Sequence, residues 1–135
     1  MDDCVFCKII AGKIPAHKVY ENDKIFAFLD VSPVNQGHVL VVPRAHHADL
    51  LETPDDVLSD MITRTKKIAT AVMKAVKADG FNLGCNTKKA AGQAVFHTHF
   101  HVIPRFDNDG LKHWPHKKLS DEEMAKIRDA VKAQL

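Results

Sequence analysis

Residues 97–105 read HTHFHVIPR, with three histidines at alternate positions and apolar residues beside them. In a strand, side chains alternate between faces, so His97, His99 and His101 project to one side and Thr98, Phe100 and Val102 to the other. The apolar members suit a core-facing side. Three neighbouring imidazoles on the opposite face repel one another once protonated, which points to chemistry rather than an idle surface. Alternating His-x-His puts two rings within reach of one ion, a common metal-ligand arrangement. It suits equally a nucleophilic histidine whose neighbours hold the charge of a phosphate, because neutral imidazole attacks near pH 7 and its ordinary pKa is about 6.5. Spacing alone leaves both open, including a catalytic ion held jointly by His97, His99 and His101.

Nearby residues add donors and acceptors. Just upstream, AAGQAVF forms a glycine-bearing loop able to bring backbone N–H groups to an anion, with Gln93 as a neutral donor. His38 begins a separate apolar run, and Asp30 closes the FAFLD run as a candidate acceptor for ribose hydroxyls. Cys4 and Cys7 form a Cys-x-x-Cys pair, which suggests metal or redox chemistry. With no second such pair, a four-cysteine zinc ribbon is excluded and further ligands would be histidines. Cys85 lies in an apolar strand and reads as a core residue.

The elements that must position these groups are legible in the hydrophobic pattern. From ETPDD onward, Thr53 suits an N-cap and Pro54 the first helical position. Apolar residues then recur at helical spacing until Gly80, a C-terminal cap, giving a helix of about 25 residues. Ser120 and Glu123 match a capping box for a second helix, with Met124, Ile127, Val131 and Leu135 on its buried side. A short helix covers CVFCKIIA, ended by Gly12. KVYE, KIFAFLD, GHVLVVP, GFNLGCN and HTHFHVIPR read as strands, the last stopped by Pro104. The expected architecture is α+β, an antiparallel sheet of about five strands with one long helix packed on it.

Composition sets the wider bounds. A chain of 135 residues, 45% hydrophobic and 27% charged, is expected to form one globular domain over residues 1–135. The net charge of +2 is scattered, which argues against a nucleic-acid groove. No segment approaches a membrane span or a signal peptide, and three cysteines are too few and odd for a disulfide scaffold. A cytoplasmic protein is expected.

Taken together, these segments resemble the histidine triad (HIT) superfamily, in its Hint-like nucleotide-hydrolase branch. HTHFHVI matches the family's His-x-His-x-His signature in full. CVFCKIIAGKIPAHKVYEND, FAFLDVSPVNQGHVLVVPRAH, AGQAVFHTHFHVIPR and HWP stand in family order across about residues 4–115. The resemblance implies a purine nucleotide hydrolase or nucleotidyl transferase cleaving AMP derivatives, such as a phosphoramidate or mixed anhydride, at the α-phosphate. His99 would attack to give a covalent nucleotidyl-histidine that water then releases. By the same likeness His97 and His101 orient the phosphate, supported by His38, and Asn86 and Gln93 lie near it. Asp30 would hold the ribose, and Phe6, Ile9, Phe28 and Val31 the purine base. The family likeness also implies a homodimer with a continuous sheet, and Trp114 of HWP reaching substrate across its interface. It implies a structural zinc on Cys4, Cys7, His46 and His97, with His47 as fallback ligand, and no organic cofactor. Residues 119–135 form a helical extension beyond the likeness. Ala94 departs from the pattern, because members associated with phosphoramidate cleavage carry a serine there to assist an amine leaving group. Dinucleoside polyphosphate hydrolysis, and a nucleotide-binding interaction module with incidental catalysis, are the competing readings.

Overall fold

The apolar runs form five antiparallel strands in a computed structural model that describes residues 3–135. They are β1 (Lys18–Glu21), β2 (Ile25–Leu29), β3 (Val39–Pro43), β4 (Gly80–Gly84) and β5 (Phe100–Arg105), in sheet order β1-β2-β3-β5-β4. Three helices accompany them: α1 (Val5–Ile10), α2 (Asp55–Val76) and α3 (Asp121–Gln134). No helix among the described residues is long and apolar enough to cross a membrane.

Strand register sorts the side chains. Phe28 pairs with Leu40, which pairs with His101, while Ala27, Val41 and Phe100 form the adjacent row. Alternation therefore sends the two rows to opposite faces. On one face Ile25, Ala27, Val39, Val41, Phe100 and Val102 pack against Met61, Ile68 and Ala69 of α2. On the other, Phe26, Phe28, Leu40 and Val42 pack with Phe6 of α1. Removing this apolar surface from water is the main stabilising force, and it fixes which way β5 presents His101.

Five local expectations change. Thr53 does not cap α2: Pro54 precedes the helix without a side-chain cap, and the Thr53 hydroxyl bonds Asp49 O and Thr98 Oγ1 instead. The helix stops at Val76, with Lys77 left-handed at φ 56, because the chain must turn for Gly80 to open β4 opposite Arg105. Pro104 does not end β5 but lies inside it, beyond the stretch paired with β3. The strand starts only at Phe100, since the Thr98 N–H donates to His47 O in a loop contact. The last change concerns α3. Its capping box forms as expected, but Met124, Ile127, Val131 and Leu135 are exposed and no α3 residue is buried. The exposed segment 111–120 gives this helix no packing face in its own chain.

Gly37 shows how tightly the loop before β3 is seated. Its φ is +85, and a Cβ there would sit 3.0 Å from Val76 Cγ1 and 3.2 Å from Pro104 Cγ. Gly37→Ala therefore meets both a left-handed backbone and a filled space, and should destabilise by about 2–4 kcal/mol. Urea unfolding tests this, and an unchanged midpoint would contradict the packing described.

Candidate active site and metal cluster

The four histidines near β5 are held in defined tautomers by groups that can only donate or only accept. His99 is 6% exposed, and its Nδ1 lies 2.7 Å from the His97 carbonyl oxygen. A carbonyl only accepts, so Nδ1 carries the proton and Nε2 keeps its lone pair. On the neighbouring element, the Val34 N–H donates to His38 Nδ1 at 3.0 Å, which places the His38 proton on Nε2. That proton is donated to His101 Nδ1 at 2.9 Å, so His101 carries its own proton on Nε2. A bare nitrogen and a protonated one thus stand on adjacent rings, with centroids 4.9 Å apart. Phe6 meets His99 edge-on at 5.1 Å and dries that side.

Asp30 has two jobs. One oxygen accepts from Ser32 N–H at 2.8 Å and closes the turn after β2, while the other lies 3.6 Å from His38 Nε2. A groove beside this pair is lined by Val34, His38, Asn86, Ala91, His101 and Trp114. Phe6, Phe28 and Ile9 pack together, with Phe6 and Phe28 rings 5.4 Å apart. Val31 stands apart on the turn, 86% exposed. Gln93 is spent within the loop: Oε1 accepts from Lys88 N–H, and Nε2 donates to Ala48 O and Val95 O. Ala94, beyond it, is exposed in a dip shared with Cys4 and His46.

His97 turns to a second cluster and does not converge with His99 and His101. Its buried Nε2 donates to Pro43 O at 2.8 Å, leaving Nδ1 free to accept. That Nδ1 lies 3.5 Å from Cys4 Sγ, 3.6 Å from Cys7 Sγ and 3.2 Å from His46 Nδ1. Cys7 Sγ is 3.4 Å from His46 Nδ1, and both thiols are free. Four soft or borderline donors thus surround one point, a geometry able to hold a metal ion. His46, not His47, joins this group; His47 gives its carbonyl to Thr98. A separate set of Asp30, His38 and His101 lies at the groove.

Burial sets the charge state. It pushes His101 and His97 down to about 4 and lowers His38 and His99, so the rings stand neutral at pH 7. Asp30 opposes this only in part at His38, His99 and His101.

Two residues escaped the sequence reading. Asp49 is 2% exposed and caps the short 3-10 turn Leu50–Glu52, and Lys88 pairs with it. The Asp49-x-x-Glu52 spacing across LLE is a helix-start signal that could have marked Asp49; nothing in sequence marks Lys88.

An open antiparallel sheet with paired histidines on one face and a Cys/His cluster beside them defines a small α+β histidine-site protein. A HIT domain profile matches residues 11–108, and the chain belongs to the HIT family. It is 41% identical over 140 residues to adenylylsulfatase HINT3 of Arabidopsis thaliana, covering 99% of this chain and 70% of that one. Adenosine 5'-monophosphoramidase HNT1 of Candida albicans is 39% identical over 139 residues, covering 98% and 91%. A solved Zn-bound histidine triad family protein from Mycobacterium smegmatis superposes with a TM-score of 0.79 at 38% identity, covering 98% and 95%.

The depressed histidines make a pH prediction. An imidazole titrating at about 4 in the fold and about 6.5 unfolded contributes stability that is full above pH 6.5 and is lost as pH falls toward 4. His101→Gln should flatten the loss of unfolding free energy over that window, measured by urea midpoints at several pH values. Parallel curves for the two proteins would contradict it.

Proposed function

We propose that this protein is a nucleotide hydrolase that transfers the adenylyl group of an AMP derivative first to His99 and then to water. The observation that carries this reading is the His99 Nδ1–H bond to His97 O, which leaves Nε2 bare beside a protonated His101. The names of the Arabidopsis and Candida relatives support adenosine nucleotides as the substrate class. His99 Nε2 would form a bond to the α-phosphorus as the bond to the leaving group breaks. The leaving group departs with the electron pair, and the His101 Nε2–H is the donor beside it, backed by His38. Water then attacks the same phosphorus, gives up a proton and displaces His99 as AMP forms. Asn86 would contact the phosphate, Asp30 the ribose, and Phe6, Ile9 and Phe28 the base, with Val31 at the rim. Gln93 would act on the phosphate by shaping its loop. With no hydroxyl at Ala94, a leaving group that departs unprotonated, as from a mixed anhydride, suits the site better than an amine.

Zinc fits the Cys4, Cys7, His46 and His97 cluster. Bond lengths of about 2.3 Å to sulfur and 2.0–2.1 Å to nitrogen give tetrahedral edges of about 3.5 Å (S–N) and 3.3 Å (N–N). The observed 3.4–3.6 Å and 3.2 Å match them. The Mycobacterium relative supports the same metal. Bound there, zinc supplies structural closure, tying α1 to the segment before β5, and it suits a reducing cytoplasm. The exposed Phe81 and Leu83 on edge strand β4, beside exposed Ile62 of α2, support a homodimer through that edge.

Incubation with adenosine 5'-phosphosulfate, cold alkaline quench and intact mass should show one AMP adduct per chain. His99→Ala should remove it and cut turnover roughly 10³-fold or more. Activity that survives that change would overturn the reading, and preferential cleavage of dinucleoside polyphosphates would replace the substrate. Protein purified without added zinc should carry about one zinc per chain, lost with a lower thermal midpoint in Cys7→Ser. A ratio near zero in the wild type would reject the zinc site.

A further inference from the structure

Lys88 holds a backbone conformation that belongs to glycine. Its φ of 73 and ψ of 161 lie in a region that side-chain-bearing residues avoid, and it introduces the turn Lys89–Ala91. Such strain persists only where surrounding contacts over-determine it. Here two contacts do so, one to Asp49 in the segment before α2 and one to Gln93, which is itself tied to that segment. Lys88 Nζ pairs with Asp49 Oδ2 at 2.5 Å, and the Lys88 N–H donates to Gln93 Oε1 at 2.8 Å, whose amide bonds Ala48 O at 2.7 Å. Asp49 is itself anchored. Its Oδ1 accepts from Leu51 and Glu52 N–H, and its carboxylate is almost wholly buried. Lys88 holds that carboxyl below its usual range, and Asp49 raises the lysine in turn.

The turn so fixed is a wall of the groove. Ala91 and Asn86 line it with His38 and His101. Gly92, at the end of the turn, is left-handed at φ +92, and a Cβ on it would lie 3.7 Å from Asn86 Nδ2. Asn86 lies two residues before Lys88 in the chain, so a shift of the Lys88 backbone is carried to it directly. The same 47–53 segment holds the histidine stretch through Thr98, so both walls of the groove are referenced to one frame.

We propose that the Asp49–Lys88 ion pair clamps the 88–93 turn in a glycine-type conformation and thereby positions Asn86 against the histidine groove. This makes Lys88 and Asp49 positioning residues for the adenylyl transfer proposed above, on which the inference rests. Neither touches the reacting atoms.

The test is a variant set read by turnover and by the Asn86 side-chain amide signals in a nitrogen–proton spectrum. Lys88→Met leaves the strained backbone unclamped, and Asp49→Asn keeps the cap but removes the charge. Each should lower kcat about tenfold with KM within about twofold, and the double variant should be no worse than either. Lys88→Gly removes the ion pair but also the strain, so it should recover most of the turnover that methionine loses. The Asn86 signals should move in Lys88→Met and Asp49→Asn and stay near their wild-type positions in Lys88→Gly. Equal losses in the methionine and glycine variants would overturn the clamp, as would wild-type turnover in Lys88→Met. If the wild-type protein turns over no adenylyl substrate, the proposed function fails. The clamp is then decided by the spectra alone: Asn86 signals unmoved in all three variants reject it.

Discussion

One buried residue, His97, ties the two halves of this site together. Its ring donates through Nε2 to Pro43 O and turns Nδ1 toward Cys4, Cys7 and His46. Its main-chain carbonyl accepts the Nδ1 proton of His99. A metal-ligating ring needs a bare nitrogen, and a second hydrogen bond on the other nitrogen is what supplies it. The same residue therefore anchors the Cys/His cluster with its side chain and sets the tautomer of His99 with its backbone. Because His97 is 0% exposed, water does not compete for either bond.

Everything around it serves to keep that residue and its neighbours in register. Strand alternation commits Phe100 and Val102 to the α2 core, which leaves the odd-numbered positions on the α1 face with Phe6 and Leu40. The 47–53 segment then braces what the sheet does not. It receives Thr98 from the histidine stretch and reaches Lys88 and Gln93 of the opposing turn. The groove, lined by strands β4 and β5 and by the 86–91 stretch, thereby has its loop wall held as firmly as its sheet wall, which preorganises its polar groups.

The period-two pattern of HTHFHVI and the apolar runs before it carried the α+β sheet and the placing of His99 beside His101, although His97 turns away to Cys4, Cys7 and His46. Those features are local or repeat along one element, so sequence records them. What sequence did not record depends on distant partners. Gln93 looked like a free donor, yet Ala48, 45 positions away, occupies its amide. Thr53 had the right type and place for a cap, but Thr98 takes its hydroxyl. Lys88 shows no signal at all, because its meaning lies in a backbone angle and a carboxylate 39 positions earlier. The α3 stripe read as buried for a sound reason, since amphipathic helices usually cover a core, but its own chain offers no such face.

The site depends on His99 being held as the Nδ1–H tautomer with Nε2 bare, while His101 carries its proton on Nε2. Nitrogen-15 spectra of the imidazole rings at pH 7, assigned by His99→Gln and His101→Gln, read this directly. An unprotonated Nε2 signal is expected for His99 and a protonated Nε2 signal for His101. A His99 ring protonated at Nε2, or a doubly protonated one, would contradict it.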